Sequence, residues 1–570
     1  GTPGTQIKST SSSNLLESAS VVCEWCSAGL YALEPGSSTT PDSCQACPSG
    51  GMCFGGPHVA PQVGFWGFIS NAPDGQQAVE FVLCPTGYCC SVDDGSCQFN
   101  HCDNGRSGVL CGECPPGRSE TLGSTRCVAD DRCNSTWLVP VTLLLSLLAT
   151  FGLVAFKTTG AIRTEQQREM GHHSVLSPPT ALLSNQQQDG AEIKAVMFFY
   201  QILPLLLSDV TKQHQNVFTT IVLSVFNLRL DEVNSGGQGS CPYEGFSAVA
   251  KVAFGYFIPL LLLSWLGIAF LLQMTSNIFM RSRGTLGTPA GRVHRGYAGH
   301  FSALFLILGL SFSSLLQTTT ELVSCVHIGP HLRLFRAGGV ICYKPWQIAL
   351  LFLVLPLLLA YPVILVALVR HARRIKRLGV TMRVIMETIA APFQARAHQW
   401  EAMLILQRVC FILVSTFVLD AFVRAWLLGM FCLIALVIQI VARPFVRSSP
   451  NTLLAGMLGV LNLVALWEMG VAFRMTKHGA AGRLNPVMIT PFAHLIGVMS
   501  SLPAVIGLVF RVVKLIDKLA PGLHARVFQR PGNGSRTPPL EFEMASDESL
   551  VGAVDNEVWE PELAQDEVMC

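Results

Sequence analysis

The chain has 570 residues and a formal net charge of +2, and only 13% of it is Asp, Glu, Lys or Arg, against roughly 25% in an average soluble domain. Half of the residues are hydrophobic and the mean hydropathy is +0.44, so there is too little charge to cover a soluble globe. A single soluble domain is excluded, a nucleic-acid binder would lack the basic excess it needs, and a polytopic membrane protein is what remains.

In chain order, residues 1–22 read as a linker, Ser-rich from Ser9 to Ser13. The first residue is Gly and no apolar signal segment follows it, so the expectation is a removed signal or a longer chain upstream. Residues 23–136 hold fourteen of the twenty cysteines: Cys23, Cys26, Cys44, Cys47, Cys53, Cys84, Cys89, Cys90, Cys97, Cys102, Cys111, Cys114, Cys127 and Cys133. They are mixed with Gly, Pro and Ser and few aliphatic residues. Such a stretch cannot bury enough core to offset its chain entropy, so it must be cross-linked, which places it in an oxidising, extracellular compartment. Zinc is the competing reading, because Cys23/Cys26, Cys44/Cys47 and Cys111/Cys114 are C-x-x-C pairs. It leaves the other eight cysteines unexplained. Spacing does not give the connectivity.

From Trp137 the composition turns apolar. Nine candidate spans follow, at 134–156, 191–208, 250–272, 298–319, 346–369, 402–421, 425–442, 451–473 and 488–510. The weakest is 191–208, bounded by Lys194 and Asp209. The apolar stretch 213–228 is amphipathic and reads as lying on the membrane surface. With the N-terminus outside, the inner loops and the start of the tail carry twenty Lys and Arg and the outer loops and span edges ten, the bias that an inside C-terminus requires. Cys241, Cys325 and Cys342 fall in outer loops. A Cys325–Cys342 bridge is expected, with Cys241 free or bonded to the ectodomain or to a cysteine upstream. The expected fold is an all-α polytopic membrane helix bundle of about nine spans over 137–518, preceded by a small disulfide-rich, loop-rich ectodomain. Residues 519–570 read as a disordered acidic cytoplasmic tail, a solvating end or a site for a cytoplasmic partner.

Several stretches resemble known families. Cys23-x-x-Cys26-x-x-Gly29-x-Tyr31 and Cys44-x-x-Cys47-Pro48-x-Gly50-Gly51-x-Cys53 resemble ephrin-receptor-like repeats, continued by Val63-Gly64-Phe65-Trp66. Cys102-x-x-Gly105-Arg106-x-Gly108-x-Leu110-Cys111-Gly112-x-Cys114 is similar to an EGF-like half-module. Ile193-Lys194 with Gln201, the stretch Leu332 to Trp346, Trp400, Arg408, Arg443-Pro444-Phe445 and Asn451 resemble the TRP-like membrane regions of protist and algal surface proteins. This resemblance implies an ion channel or a channel-derived receptor. No pore motif such as a Gly-rich filter between spans accompanies it.

Charges inside spans are the first functional candidates. Arg408 and Glu468 either face the bundle interior or snorkel to opposite interfaces, and snorkelling is the blander expectation. Asp209, Glu321 and Asp420 are candidates for an acidic cation vestibule, or simply end their spans. Arg370, Arg373, Arg374, Lys376 and Arg377 form an inner basic cluster suited to anionic lipid or to anchoring topology. His172-His173 reads as a solvated pair, Asn134 as a glycosylation acceptor beside the membrane, and Pro204, Pro259, Pro356, Pro362 and Pro503 as possible hinges. No catalytic motif is present, and no enzyme activity, cofactor, metal or nucleic-acid partner is expected. The bilayer and an unidentified extracellular ligand are the expected partners. Two functions follow: a TRP-like cation channel with a disulfide-rich sensor, or a non-conducting receptor or adhesion protein.

Overall fold

The computed structural model describes residues 5–9, 21–33, 44–62, 64–71, 77–85, 87–89, 100–133, 135–171, 180–207, 217–229, 239–282, 290–375, 380–390 and 392–478. Cys90, Cys97, Asn134, His172-His173, Asp209, Lys376, Arg377, Pro503, the 488–510 span and the acidic tail lie outside them, as does the side chain of Cys23.

The N-terminal head is a chain of short hairpins. The expected linker contributes β1 (Thr5–Ser9), paired with β2 (Val21–Trp25). There follow β3 (Leu30–Tyr31) with β4 (Gln45–Ala46), and β5 (Gly51–Cys53) with β6 (Val59–Pro61). Next come β7 (Phe65–Asn71) with β8 (Gln77–Leu83), and β9 (Arg118–Glu120) with β10 (Cys127–Ala129). A lone hairpin is at best marginally stable in water. Here Cys26–Cys44, Cys47–Cys53, Cys84–Cys89, Cys102–Cys111 and Cys114–Cys127 staple the hairpins. The sulfurs of the Cys44/Cys47 and Cys111/Cys114 pairs go to different bridges, so none of those four is a thiolate for zinc.

Among the described residues, seven helical segments are long and apolar enough to cross a membrane: Ser135–Thr159, Ala248–Phe279, Tyr297–Val323, Pro345–Arg374, Trp400–Phe417, Ala421–Ala442 and Ser448–Phe473. They are built from α1 (Leu138–Gly171), α4 (Ala248–Ala253) with α5 (Phe257–Ser282), α6 (Ala290–Val323), α7 (Pro345–Ala349) with α8 (Leu355–Arg374), α10 (Trp400–Phe417), α11 (Ala421–Ala442) and α12 (Ser448–His478). Three other helices of the described residues pack with them: α2 (Thr180–Leu206), the short α3 (Val217–Asn227) and α9 (Val380–Ala390). Pro259 and Pro356 follow directly on the two irregular turns, a 3-10 turn at Phe254–Tyr256 and a π turn at Leu350–Val354, where missing N–H donors are tolerated.

Contacts of the head define one end of the bundle. Cys133 is bonded to Cys241, just before α4, and Leu122 pairs with Ser240. Between α6 and α7 a meander of β11 (Cys325–Ile328), β12 (His331–Leu334) and β13 (Ala337–Ile341) is closed by Cys325–Cys342. Val326 and Ile328 of this meander, with Leu419 before α11, pack on Trp66, Tyr88 and Leu110 of the head. The start of α1, the start of α4, the end of α6, the start of α7 and the α10–α11 turn therefore share one end. Since α1 leaves this end and α4 begins at it, α2 is the element that returns.

Buried area grades from rim to centre. Within the most apolar window of α1 11% of residues are buried, against 56% for α6. The described part of α2 is as central: Phe198, Phe199, Tyr200, Ile202 and Leu203 are all fully buried. That explains its weak hydropathy, because a helix wrapped in protein can carry Lys194 and Gln201 where a lipid-facing one cannot. The 213–228 stretch corrects its surface reading. Thr219, Thr220, Ser224 and Asn227 of α3 are buried in the bundle while Ile221 and Val225 are exposed. Its amphipathicity is inverted, polar face to protein and apolar face outward, and at eleven residues it is about 16 Å long, too short to cross.

Candidate functional site

Two polar constructions stand out in a chain with so few charges. The first joins head to bundle. Arg106 of the head is buried, its ring-stacked guanidinium 3.5 Å from the centroid of Tyr88. It donates to the Cys111 carbonyl at 2.6 Å, to the Thr125 carbonyl at 2.8 Å and to both oxygens of buried Glu120. Glu120 is shared with Lys251 of α4, whose Nζ lies 3.2 Å from the carboxylate and 2.6 Å from the Ser124 carbonyl. One head carboxylate thus neutralises a head cation and a cation on the first membrane helix after the head. The Glu120 N–H donates to the Phe246 carbonyl at 2.8 Å, and Gly245 N–H to Ser119 Oγ at 2.8 Å. Cys114, Glu120 and Cys127 cluster closely enough to hold a metal ion, but the two sulfurs are bonded to each other and the carboxylate is spent on ion pairs.

Backbone proximity completes this joint. A Cβ on Gly338 of β13 would collide with the Val109 carbonyl, and one on Gly112 with the Gly338 N–H. Two glycines face each other across the seam because no side chain fits there. Nearby, Glu321 at the end of α6 sits 3.3 Å from Arg229 and 3.4 Å from Arg336, and accepts from Gln317 at 3.0 Å.

The second construction lies halfway along the bundle. Gln201 of α2 donates to the Leu310 carbonyl at 3.0 Å and to Phe226 at 3.3 Å, and accepts from Ser313 at 3.3 Å. Asn227 donates to the Tyr200 and Leu223 carbonyls, each at 2.9 Å. Arg408 donates from Nη1 to the Gly309 carbonyl at 3.2 Å and lies 5.6 Å from the Phe198 ring centroid. The layer joins α2, α3, α6 and α10 by side-chain donors that, apart from Ser313 on Gln201, find backbone carbonyls.

The structure resolves most of the charge candidates. Arg408 is 3% exposed and Glu468 4%. Neither snorkels: helical rise puts them near enough to span ends, but their faces of α10 and α12 point into protein. Glu401, one helical repeat before Arg408, does not pair with it; Lys194 holds Glu401 at 2.7 Å and also caps the Thr388 and Ile389 carbonyls of α9. The acidic vestibule is not assembled by its two described members. Asp420 caps α11 by accepting from Val423 N–H at 2.7 Å, and Glu321 is committed to its arginines. Arg370, Arg373 and Arg374 lie on the last turns of α8 at the end far from the head.

Arg443, Phe445 and Asn451 are joints as well. Arg443 closes α11 in the left-handed conformation, φ 41°. Asn451 accepts from Phe445 N–H at 3.1 Å and donates to Phe445 and Arg447 carbonyls at 2.9 and 2.8 Å, stitching the α11–α12 turn. Phe445 packs on Phe393, ring centroids 5.1 Å apart. Sequence reading missed the Glu120 joint entirely, since Arg106, Glu120 and Lys251 are separated by up to 145 positions; the one signal was a lysine at an otherwise apolar span edge. No family model, no curated protein and no solved structure matches the chain.

Proposed function

We propose that the chain is a non-enzymatic, non-conducting multi-pass receptor of the cell surface or another secretory-pathway membrane, with its cysteine-rich head outside and its acidic tail in the cytosol. The observation that carries this reading is the Arg408 layer. Cation pores are lined by carboxylates or carbonyls along a wet path. Here mid-depth is occupied by a buried guanidinium, and Gln201, Ser313 and Asn227 are turned on one another or on helix carbonyls. The head, by contrast, is tied to α4 and α6 by a disulfide, a shared carboxylate and a glycine seam, a construction suited to passing a displacement of the head into the bundle.

Topology is part of the proposal. Seven apolar segments, α2 and the 488–510 stretch make nine crossings. The disulfides need an oxidising compartment on the head side. Exposed Trp137, Tyr243 and Tyr343 lie at the head ends of their segments, where an aromatic belt is expected, and the Lys and Arg bias supports an inside location for the opposite end.

Ionic current through purified chain in a planar bilayer tests the reading. No current above the protein-free baseline, in wild type and in Arg408→Leu, is the expected result. Reproducible unitary currents in wild type that Arg408→Leu alters would overturn it in favour of the TRP-like channel.

A further inference from the structure

At the end of the bundle far from the head, the last turn of α8, the turn before α10 and the first turn of α10 enclose a cleft of about 340 Å³. Arg373, Arg396, His398, Gln399, Trp400 and Met403 wall it, and among the described residues no carboxylate lines it. Each guanidinium is anchored by a single bond, Arg373 Nη2 to the Ala395 carbonyl at 2.8 Å and Arg396 Nε to Gln394 Oε1 at 2.9 Å. Their other N–H groups have no protein acceptor among the described residues. The buried indole N–H of Trp400 has none either. Glu401, the next residue, is withdrawn by Lys194. The cleft therefore presents guanidinium and indole N–H donors that no described side chain takes up.

Position says which anion. Arg373 is in the last turn of the Pro345–Arg374 segment and Trp400 is the first residue of Trp400–Phe417. The cleft therefore opens where two crossing segments leave the hydrocarbon, at the depth of lipid phosphates. On the same turns of α8 a second groove, lined by Val363, Val366, Ala367, Arg370 and Arg374, offers apolar surface below a basic rim. A phosphomonoester carries close to two negative charges and several acceptor oxygens, and guanidinium groups bind it in bidentate fashion.

We infer that this cleft binds the phosphorylated headgroup of an anionic lipid in the leaflet opposite the head. The inference rests on the chain crossing a bilayer and not on its being a receptor; a conducting protein would hold the same lipid. It separates Arg373 from its basic neighbours, giving it a built site shared with Arg396 and Trp400 instead of a place in a diffuse charged surface.

The test titrates purified full-length chain in detergent with dioctanoyl phosphatidylinositol 4-phosphate, with dioctanoyl phosphatidylcholine and with free inositol phosphate, reading bound ligand by native mass spectrometry. The phosphorylated lipid should bind saturably, about tenfold or more tighter than either of the others. Arg373→Gln with Arg396→Gln should weaken it by about tenfold, and Trp400→Phe, which keeps the shape and removes the N–H, by a few fold. Arg370→Gln with Arg374→Gln should change it less than about twofold. Arg396→Gln alone, on an exposed turn, serves as the variant least able to disturb folding. Equal loss from both arginine pairs would overturn the built site, and free inositol phosphate binding as tightly as the lipid would overturn the lipid assignment.

Discussion

The two ends of the bundle are held together by different means. At the head end the links are covalent, backbone-close or fully buried: Cys133–Cys241, the Gly112–Gly338 seam, and Glu120 between Arg106 and Lys251. At the far end none of the described links is covalent: Lys194 on Glu401 and Asn451 across the α11–α12 turn are partly exposed, and a short backbone bridge with the buried Phe393–Phe445 contact joins that turn to the one before α10. A buried ion pair with one partner removed leaves an uncompensated charge, whereas a partly solvated pair surrenders little because water takes over. The head end is therefore built to act as one body with the helices it touches. The far end keeps basic groups open to the bilayer surface.

Substitutions that probe this contrast should rank by end. Glu120→Leu strands two buried cations and should cost about 3–5 kcal/mol. Its signature is a head that trypsin trims readily while the membrane segments stay protected; a head as resistant as wild type would break the comparison. Gly338→Ala forces its new methyl against the Val109 carbonyl, which cannot swing aside, and should cost about 1–3 kcal/mol, read as a lower unfolding temperature in detergent. At the far end, Asn451→Ala should cost about 1 kcal/mol. Lys194→Met should cost still less, roughly 0.5–1 kcal/mol after allowance for solvent around the pair. Far-end losses as large as that of Glu120→Leu would invert the ranking.

Arg408→Leu sharpens the comparison from the middle of the bundle. Its acceptor is a helix carbonyl that keeps its own backbone bond, so truncation strands no charge. Replacement by a similar-sized apolar residue should be neutral or stabilising by about 1–2 kcal/mol, seen as unchanged or higher surface expression. A marked fall in expression would mean that Arg408 neutralises an acid inside the bundle.

How legible this was in the sequence follows from the range of each interaction. Apolar runs such as Pro345–Val369 declare themselves, since lipid contact demands uniform hydrophobicity over some twenty residues. The same logic fails for α2 and α3. Protein surrounds the described part of α2 and covers the polar face of α3, so Gln201 and Asn227 dilute the very signal that marks a membrane helix. The β11–β13 meander hid inside a loop because strands of four or five residues, held by a disulfide, need no long alternating pattern. The interior location of Arg408 was undecidable from α10 alone, as both faces of that helix are apolar and only neighbouring helices select one. Glu120 was illegible because its partners come from distant parts of the chain. Cysteine content implied cross-links, but pairing depends on which loops the bundle brings together.

The account stands most directly on the covalent tie between head and bundle. Peptide mapping of the chain, digested without reduction after alkylation of free thiols, measures it. The account predicts one linked pair of peptides containing Cys133 and Cys241, with Cys410 and Cys432, the free cysteines among the described residues, alkylated on denaturation. Recovery of Cys133 bridged to another head cysteine, with Cys241 alkylated, would contradict it and leave the head an independent module on the first membrane helix.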